Sequence, residues 1–244
     1  MDISELSSKT NNMINEDYFV ENDSQKIIQN LNKSITIINM QSKNICRIIK
    51  NQKTVGTGFL CNVPNKTFTN LFPVLITSNN ISIYYDLIKD KQIILQFNNE
   101  DEKVLIWNNE RKIYISEEYD ILFIEIKPND GFDINYFLEI DDLLYKKNEE
   151  DINIKEKDIY LIHYPKNKSK IITFTTMNKI SVDKYIIKNL KSINKCSIGC
   201  PIFNYSNFKI IGIYNIYNNE IKLNSKNDLM ISINEYINEI NKKN

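Results

Sequence analysis

Glycine is nearly missing from this chain. Five glycines occur in 244 residues, and alanine does not occur. Asparagine, isoleucine and lysine are heavily used instead, which reads as the codon bias of an AT-rich genome, that of a protist or a large DNA virus. The bias says little about function. It does make each glycine informative, because the chain places so few. Net charge is missing too: 31 Lys and Arg balance 31 Asp and Glu. No bulk attraction to nucleic acid or to an anionic membrane is therefore expected. No apolar run approaches the roughly 18–20 residues that span a bilayer. The N-terminus, MDISELSSKTNNMINEDYF, lacks a basic stretch followed by an apolar core, so no signal peptide is expected. Four cysteines, Cys46, Cys61, Cys196 and Cys200, are too few for a dense disulfide framework. Reduced thiols in an intracellular compartment are the expectation. Two of these cysteines and one distant histidine, His163, have no recognisable metal-ligand spacing. Neither a metal nor another cofactor is expected.

What the chain has is short runs rich in Ile, Val, Phe, Tyr and Thr. ITIINM, ICRIIK, GTGFLCNV, FPVLITS, QIILQF, KVLIW, RKIYIS and ILFIEIK follow one another from Ile35. Strands of this length, divided by turn signals, predict an all-β barrel or sandwich. Residues 127–157 break the pattern with Pro128, Gly131 and the charged run KKNEEDINIKEKD, and are expected to link two β units. DIYLIHY, KIITFTTM, KYIIKN, CPIFNY, KIIGIYNIY and EIKLN then resume it. Ser24 to Leu31 predicts a short helix capped by Ser24. Leu229, Ile233, Ile237 and Ile240, spaced by three or four, predict an amphipathic C-terminal helix. The expected division is 1–34 for a tail and short helix, 35–126 for a first barrel and 127–157 for the linker. A second barrel at 158–227 and a helix at 228–244 complete it.

Four pieces, in order, resemble the trypsin-like (chymotrypsin-fold) serine proteases. Gly56-Thr57-Gly58-Phe59-Leu60 resembles that family's GTGF strand. Leu75-Ile76-Thr77-Ser78-Asn79-Asn80-Ile81 resembles LLTNNHV, placing Asn80 where the family has its general-base histidine. Tyr119-Asp120-Ile121-Leu122 is similar to DLALL, with Asp120 at the orienting aspartate. Cys196-Ser197-Ile198-Gly199-Cys200-Pro201 is similar to GNSGGP, and counting back from Pro201 puts Ile198 at the nucleophile. YLIHYP and Ile211-Gly212-Ile213-Tyr214 echo two strands of the second barrel. The resemblance covers roughly Ile35 to Ile240. It implies two six-stranded antiparallel barrels with a cleft between them, to which the spacing above adds a C-terminal and a short N-terminal helix.

The departures remove chemistry. A side-chain amide at Asn80 does not shuttle a proton, and Ile198 carries no heteroatom to form an acyl intermediate. Loss of either group in such a mechanism costs about 10⁶-fold in turnover. Cys196 stands where the family places an oxyanion-hole glycine, and a lost donor there costs about 10²–10³-fold. Asp120 is read either as a relic partner of Asn80 or as an ordinary turn residue. The specificity-pocket position falls at Ser192, and Tyr84, Tyr85 and Tyr214 to Tyr217 are expected near the cleft.

Three readings follow. The first is a pseudoprotease of this fold that binds protein or peptide as scaffold, decoy, regulator or structural component, encoded by or packaged with a virus in one version. The second is an active peptidase with a rearranged nucleophile: Cys196 or Cys200 with His163, or Ser197 after a one-residue slip. The third is an unrelated β protein.

Overall fold

The computed structural model describes residues 25–64, 70–79, 92–98, 101–106, 110–141, 156–165, 169–181, 184–187, 195–217, 220–223 and 226–242. The chain divides into two compact units, Met1–Met40 and Gln41–Asn244. The described part of the first unit lies on one helix, α1, which spans residues 25–42. The run ITIINM, expected as a strand, is therefore helical. The reason is a longer period: Ile28, Leu31, Ile35 and Ile38 fall every three or four residues, and that spacing outweighs the β propensity of a short isoleucine-rich window. Ser24, expected as the cap, lies outside the described residues.

The second unit is built on two antiparallel sheets. Strands β1 (Ile45–Lys50) and β2 (Lys53–Pro64) form a hairpin through Asn51 and Gln52, both at positive φ, 49° and 61°. Two left-handed residues give the turn a twist that matches the strands. β3 (Leu71–Ser78), β4 (Gln92–Phe97), β5 (Asp101–Ile106), β6 (Ile113–Ser116) and β7 (Ile121–Glu125) complete the curled sheet, in the order β5-β4-β1-β2-β3-β7-β6. After β7, residues Pro128–Asp130 and Ile134–Tyr136 make 3-10 turns. β8 (Leu138–Glu139) then lies parallel to β2.

The second sheet takes β9 (Glu156–His163), β10 (Ile171–Ser181), β11 (Lys184–Ile187), β12 (Pro201–Asn204), β13 (Ile210–Tyr217) and β14 (Glu220–Leu223). Their order is β11-β10-β9-β12-β13-β14, and the end strands β11 and β14 touch, which curls the sheet towards closure. This is the expected all-β, two-barrel architecture. One buried cluster runs from Ile48, Leu60, Leu75 and Leu122 through Ile198 and Cys200 to Leu161 and Ile202. Each such side chain contributes about 1.5–3 kcal/mol by leaving water, and the shared cluster makes the two sheets one core.

Helix α2 (Lys226–Lys242) follows β14. Leu229, Ile233 and Ile237 are buried, with Tyr236 beside them; the Ile240 side chain lies outside the described residues. Tyr236 stacks on Phe123 of β7, centroids 5.2 Å apart and planes at 11°. Its hydroxyl is buried and has no hydrogen-bond partner among the described residues. An unpaired buried hydroxyl costs about 1–3 kcal/mol. Tyr236→Phe keeps the ring stack and removes that burden. Chemical denaturation is therefore expected to show unchanged or higher stability, by up to about 1 kcal/mol; a clear loss would reveal a partner for the hydroxyl.

Candidate functional site

The ends of β3, β7 and β13 meet where the two sheets face one another. Asp120 closes the turn before β7 with φ at 55°, a left-handed conformation that aspartate tolerates better than most residues. Its Oδ2 accepts a 2.7 Å hydrogen bond from the Ser78 hydroxyl at the end of β3. Its carbonyl accepts from the Asn79 N–H and from Nδ2 of Asn215 on β13, each at 3.1 Å. Asp120 thus ties the first sheet to itself through its side chain and to the second sheet through its backbone. Asn80, Ser192, Tyr84 and Tyr85 lie outside the described residues, so the expected Asn80–Asp120 pairing does too. Ser78 and Asn215 were not singled out in the sequence.

The segment resembling the nucleophile turn begins as a single 3-10 turn, Lys195–Ser197. Ile198 follows, 9% exposed and part of the core cluster. Gly199 then takes φ at 86° and donates its N–H to the Tyr214 carbonyl at 2.8 Å. The turn is fastened to Thr57 of β2, which is fully buried. Thr57 N–H donates to the Ile198 carbonyl at 2.9 Å, and its hydroxyl donates to the Cys196 carbonyl at 3.0 Å. The Thr57 carbonyl in turn accepts the Thr77 hydroxyl at 2.8 Å. A side chain at Gly199 would meet Thr57, Thr77 and Ser78 at under 3 Å, so the turn and the end of β3 are in close contact. Through Ser78 the structure brings Asp120 and the 198–199 turn to one place.

His163, at the end of β9, is buried in the second sheet. Its Nδ1 lies 2.8 Å from the Ser197 hydroxyl and its Nε2 3.0 Å from the Thr173 hydroxyl. Both ring nitrogens are engaged by hydroxyls, and neither by a thiol. Cys196 is half-buried and donates weakly to the Thr54 carbonyl at 3.5 Å. Cys46, Cys61 and Cys200 are buried. Burial pushes the Cys46 thiol up to about 12 and raises Cys61 and Cys200 further. A buried thiol kept protonated is a poor nucleophile. Among the described residues, no three His, Cys, Asp or Glu side chains are placed to hold a metal ion. Nor is any described helix long and apolar enough to cross a membrane.

Burial lowers His163 to about 4. The unfolded chain therefore binds a proton near pH 6.5 that the folded chain refuses. Stability from this group is complete above about pH 6.5 and lost as pH falls towards about 4, by roughly 2–3 kcal/mol. As the chain has one histidine, its imidazole resonance reports the event directly. The expected outcome is a neutral ring at pH 6 and a denaturation midpoint falling from pH 7 to pH 5. A ring titrating near 6.5 in the folded protein would contradict the buried geometry.

Compared by sequence, the chain matches no protein-family model and no curated protein. Compared by structure, it is similar to trypsin-like serine proteases. Deg5 superimposes with a TM-score of 0.55 at 14% identity, covering 83% of this chain and 92% of Deg5. Rv3671c from M. tuberculosis H37Rv, in an inactive form, gives 0.51 at 8%, covering 82% and 89%. The serine protease domain of the Sesbania mosaic virus polyprotein gives 0.47 at 8%, covering 80% and 92%. The fold is the trypsin-like double barrel.

Proposed function

We propose that this chain is a trypsin-like-fold pseudoprotease, one that binds protein or peptide and does not hydrolyse it. The observation that carries the reading is the turn at Ile198. Its side chain is a hydrocarbon packed into the core, and its carbonyl is held by Thr57. No atom there can attack a carbonyl carbon. The rearranged peptidase fares worse on the same geometry. His163 spends both nitrogens on Ser197 and Thr173, and Cys200 is buried with a raised pKa. Ser197, bonded to that imidazole, is itself fully buried and out of reach of a substrate. A cleft of this fold suits an extended peptide held by strand-like hydrogen bonds, which makes a polypeptide segment the favoured ligand.

Intact mass after treatment with a fluorophosphonate and, separately, iodoacetamide tests the catalytic half. The expected result is no fluorophosphonate adduct and slow alkylation confined to Cys196. A stoichiometric fluorophosphonate adduct, or rapid labelling of one cysteine that disappears in His163→Ala, would establish the peptidase instead. Panning a random peptide library against the immobilised full chain tests the binding half; failure to enrich any sequence family sinks it.

A further inference from the structure

Two buried acceptors beside Asp120 have no donor among the described residues. Asn215 of β13 is 1% exposed, and Asn79, which follows β3, is half-buried. The side-chain oxygen of each, Oδ1, is buried and unpaired among the described residues. Both residues are fixed to one atom: the Asn79 N–H and the Asn215 Nδ2 each donate to the Asp120 carbonyl at 3.1 Å. An amide nitrogen must face that carbonyl, because two oxygens would repel, so Asn215 Oδ1 is the end left over. The charge around them has one sign. The turn between β6 and β7 carries Glu117 and Glu118, both exposed, and Asp120, half-buried. That turn and the strands β3, β6, β7 and β13 contain no Lys or Arg.

We infer that Asn79, Asp120 and Asn215 form a subsite for one basic side chain of a bound polypeptide, arginine above all. The inference rests on the reading of the cleft as a polypeptide-binding site. Each acceptor group is carried by Asp120 itself or by a residue hydrogen-bonded to its carbonyl. An acceptor buried without a donor costs free energy, and a donor delivered by the ligand removes that cost. The ligand group that fits is therefore rich in N–H donors and positive. A guanidinium offers five donors in one plane and serves a carboxylate and neighbouring amide oxygens together. An ammonium offers three donors from a point and serves fewer of them. An acidic or apolar side chain leaves the amide oxygens unpaired. A hard metal ion fits less well. Its sites draw on several oxygen ligands, carboxylates prominent among them, and the carboxylate here already accepts the Ser78 hydroxyl.

Peptides enriched by panning a random library against the full chain are the probes, labelled with fluorescein and read by polarisation. The enriched family is expected to share one arginine or lysine. Replacing that residue by citrulline, which keeps the shape and removes the charge, should weaken binding about 10–100-fold, the range of charge-assisted hydrogen bonds. Asp120→Asn should erase the difference between the arginine and citrulline peptides, and Asn79→Asp should enlarge it severalfold. The thermal midpoint of each variant checks its fold; if Asp120→Asn does not fold, Asn79→Asp decides alone. A family without a basic residue, or equal binding of the citrulline peptide, overturns the subsite and leaves the binding cleft standing. Failure to enrich any family sinks both. Calcium chloride that raises the midpoint of the wild type but not of Asp120→Asn, with no peptide present, assigns the acceptors to a metal ion and overturns the proposal.

Discussion

Gly199→Ala is expected to lower stability by about 2–5 kcal/mol, through left-handed strain and overpacking together. The residue sits at φ 86°, and a Cβ there would lie 2.4 Å from the Thr57 carbonyl oxygen, 2.5 Å from Thr77 Oγ1 and 2.8 Å from the Ser78 nitrogen. Two of those atoms are backbone, so no side-chain rotation relieves the clash. The turn would have to leave β2 and β3 and surrender the hydrogen bonds to Thr57. In a chain this size each kcal/mol moves the thermal midpoint by about 2–4 °C, so the midpoint should fall by roughly 5–20 °C. Gly131→Ala is the control. Its φ is also positive, at 72°, but the nearest atom to a new Cβ is the Lys103 Nζ at 3.8 Å. Only the strain remains, about 1 kcal/mol. Equal effects at the two positions would show that contact with the first barrel contributes nothing.

Arg111→Leu should cost about 3–5 kcal/mol, because it orphans a buried carboxylate. Arg111 and Asp130 are 6% and 9% exposed at their side chains. The guanidinium grips both carboxylate oxygens at 2.7 Å and also donates to the Glu125 and Ile106 carbonyls, at 2.7 and 3.1 Å. Asp130 Oδ2 accepts the Lys127 N–H at 2.7 Å as well, so this pair pins the chain leaving β7. Burial, the largest single influence, would raise the Asp130 carboxyl, but the Arg111 hydrogen bonds, the Lys127 N–H and the charges of Arg111 and Lys127 together outweigh it and hold the group below the usual carboxylate range. Its contribution is therefore present above the unfolded pKa, near 4, and is lost as pH falls through the lower folded value. In Arg111→Leu the sign reverses: burial raises the carboxyl, and acid relieves the orphan by protonating it. The gap between wild type and variant should narrow from pH 7 to pH 4 in denaturant titrations. Arg111→Leu with Asp130→Ala should regain part of the loss. A gap independent of pH would mean that charge is not the cause.

Much of the fold was legible because burial in a strand alternates. QIILQF became β4 with Ile93, Leu95 and Phe97 inward and Gln92 outward, and ICRIIK became β1. ITIINM misled for the same reason: its β-branched residues look like a strand in a six-residue window, and the helical period emerges only over Ile28 to Ile38. β8 gave no signal at all, since two residues cannot show a period. The site was legible only in part. Asp120 and the 198–199 turn each lie against Ser78, and the residues that tie this region together, Thr57, Ser78 and Asn215, are small polar side chains with no pattern of their own. The Gly-Thr-Gly context around Thr57 was the available hint, since a chain with five glycines placed two of them there. The engagement of His163 by Ser197, 34 residues away, is a tertiary fact that no local window contains.

Thr57 spends its amide and hydroxyl on bonds that close only when both barrels are in place, while its carbonyl accepts from Thr77 within the first sheet. Its hydroxyl reaches a carbonyl 139 positions further along the chain. A rivet closed over so long a loop is costly to form early and rewarding only late, which slows folding in the manner of high-contact-order β proteins. The two halves should consequently fail to acquire native structure when expressed as separate fragments. In the intact chain, the Thr57 amide should exchange its proton with solvent only on global opening.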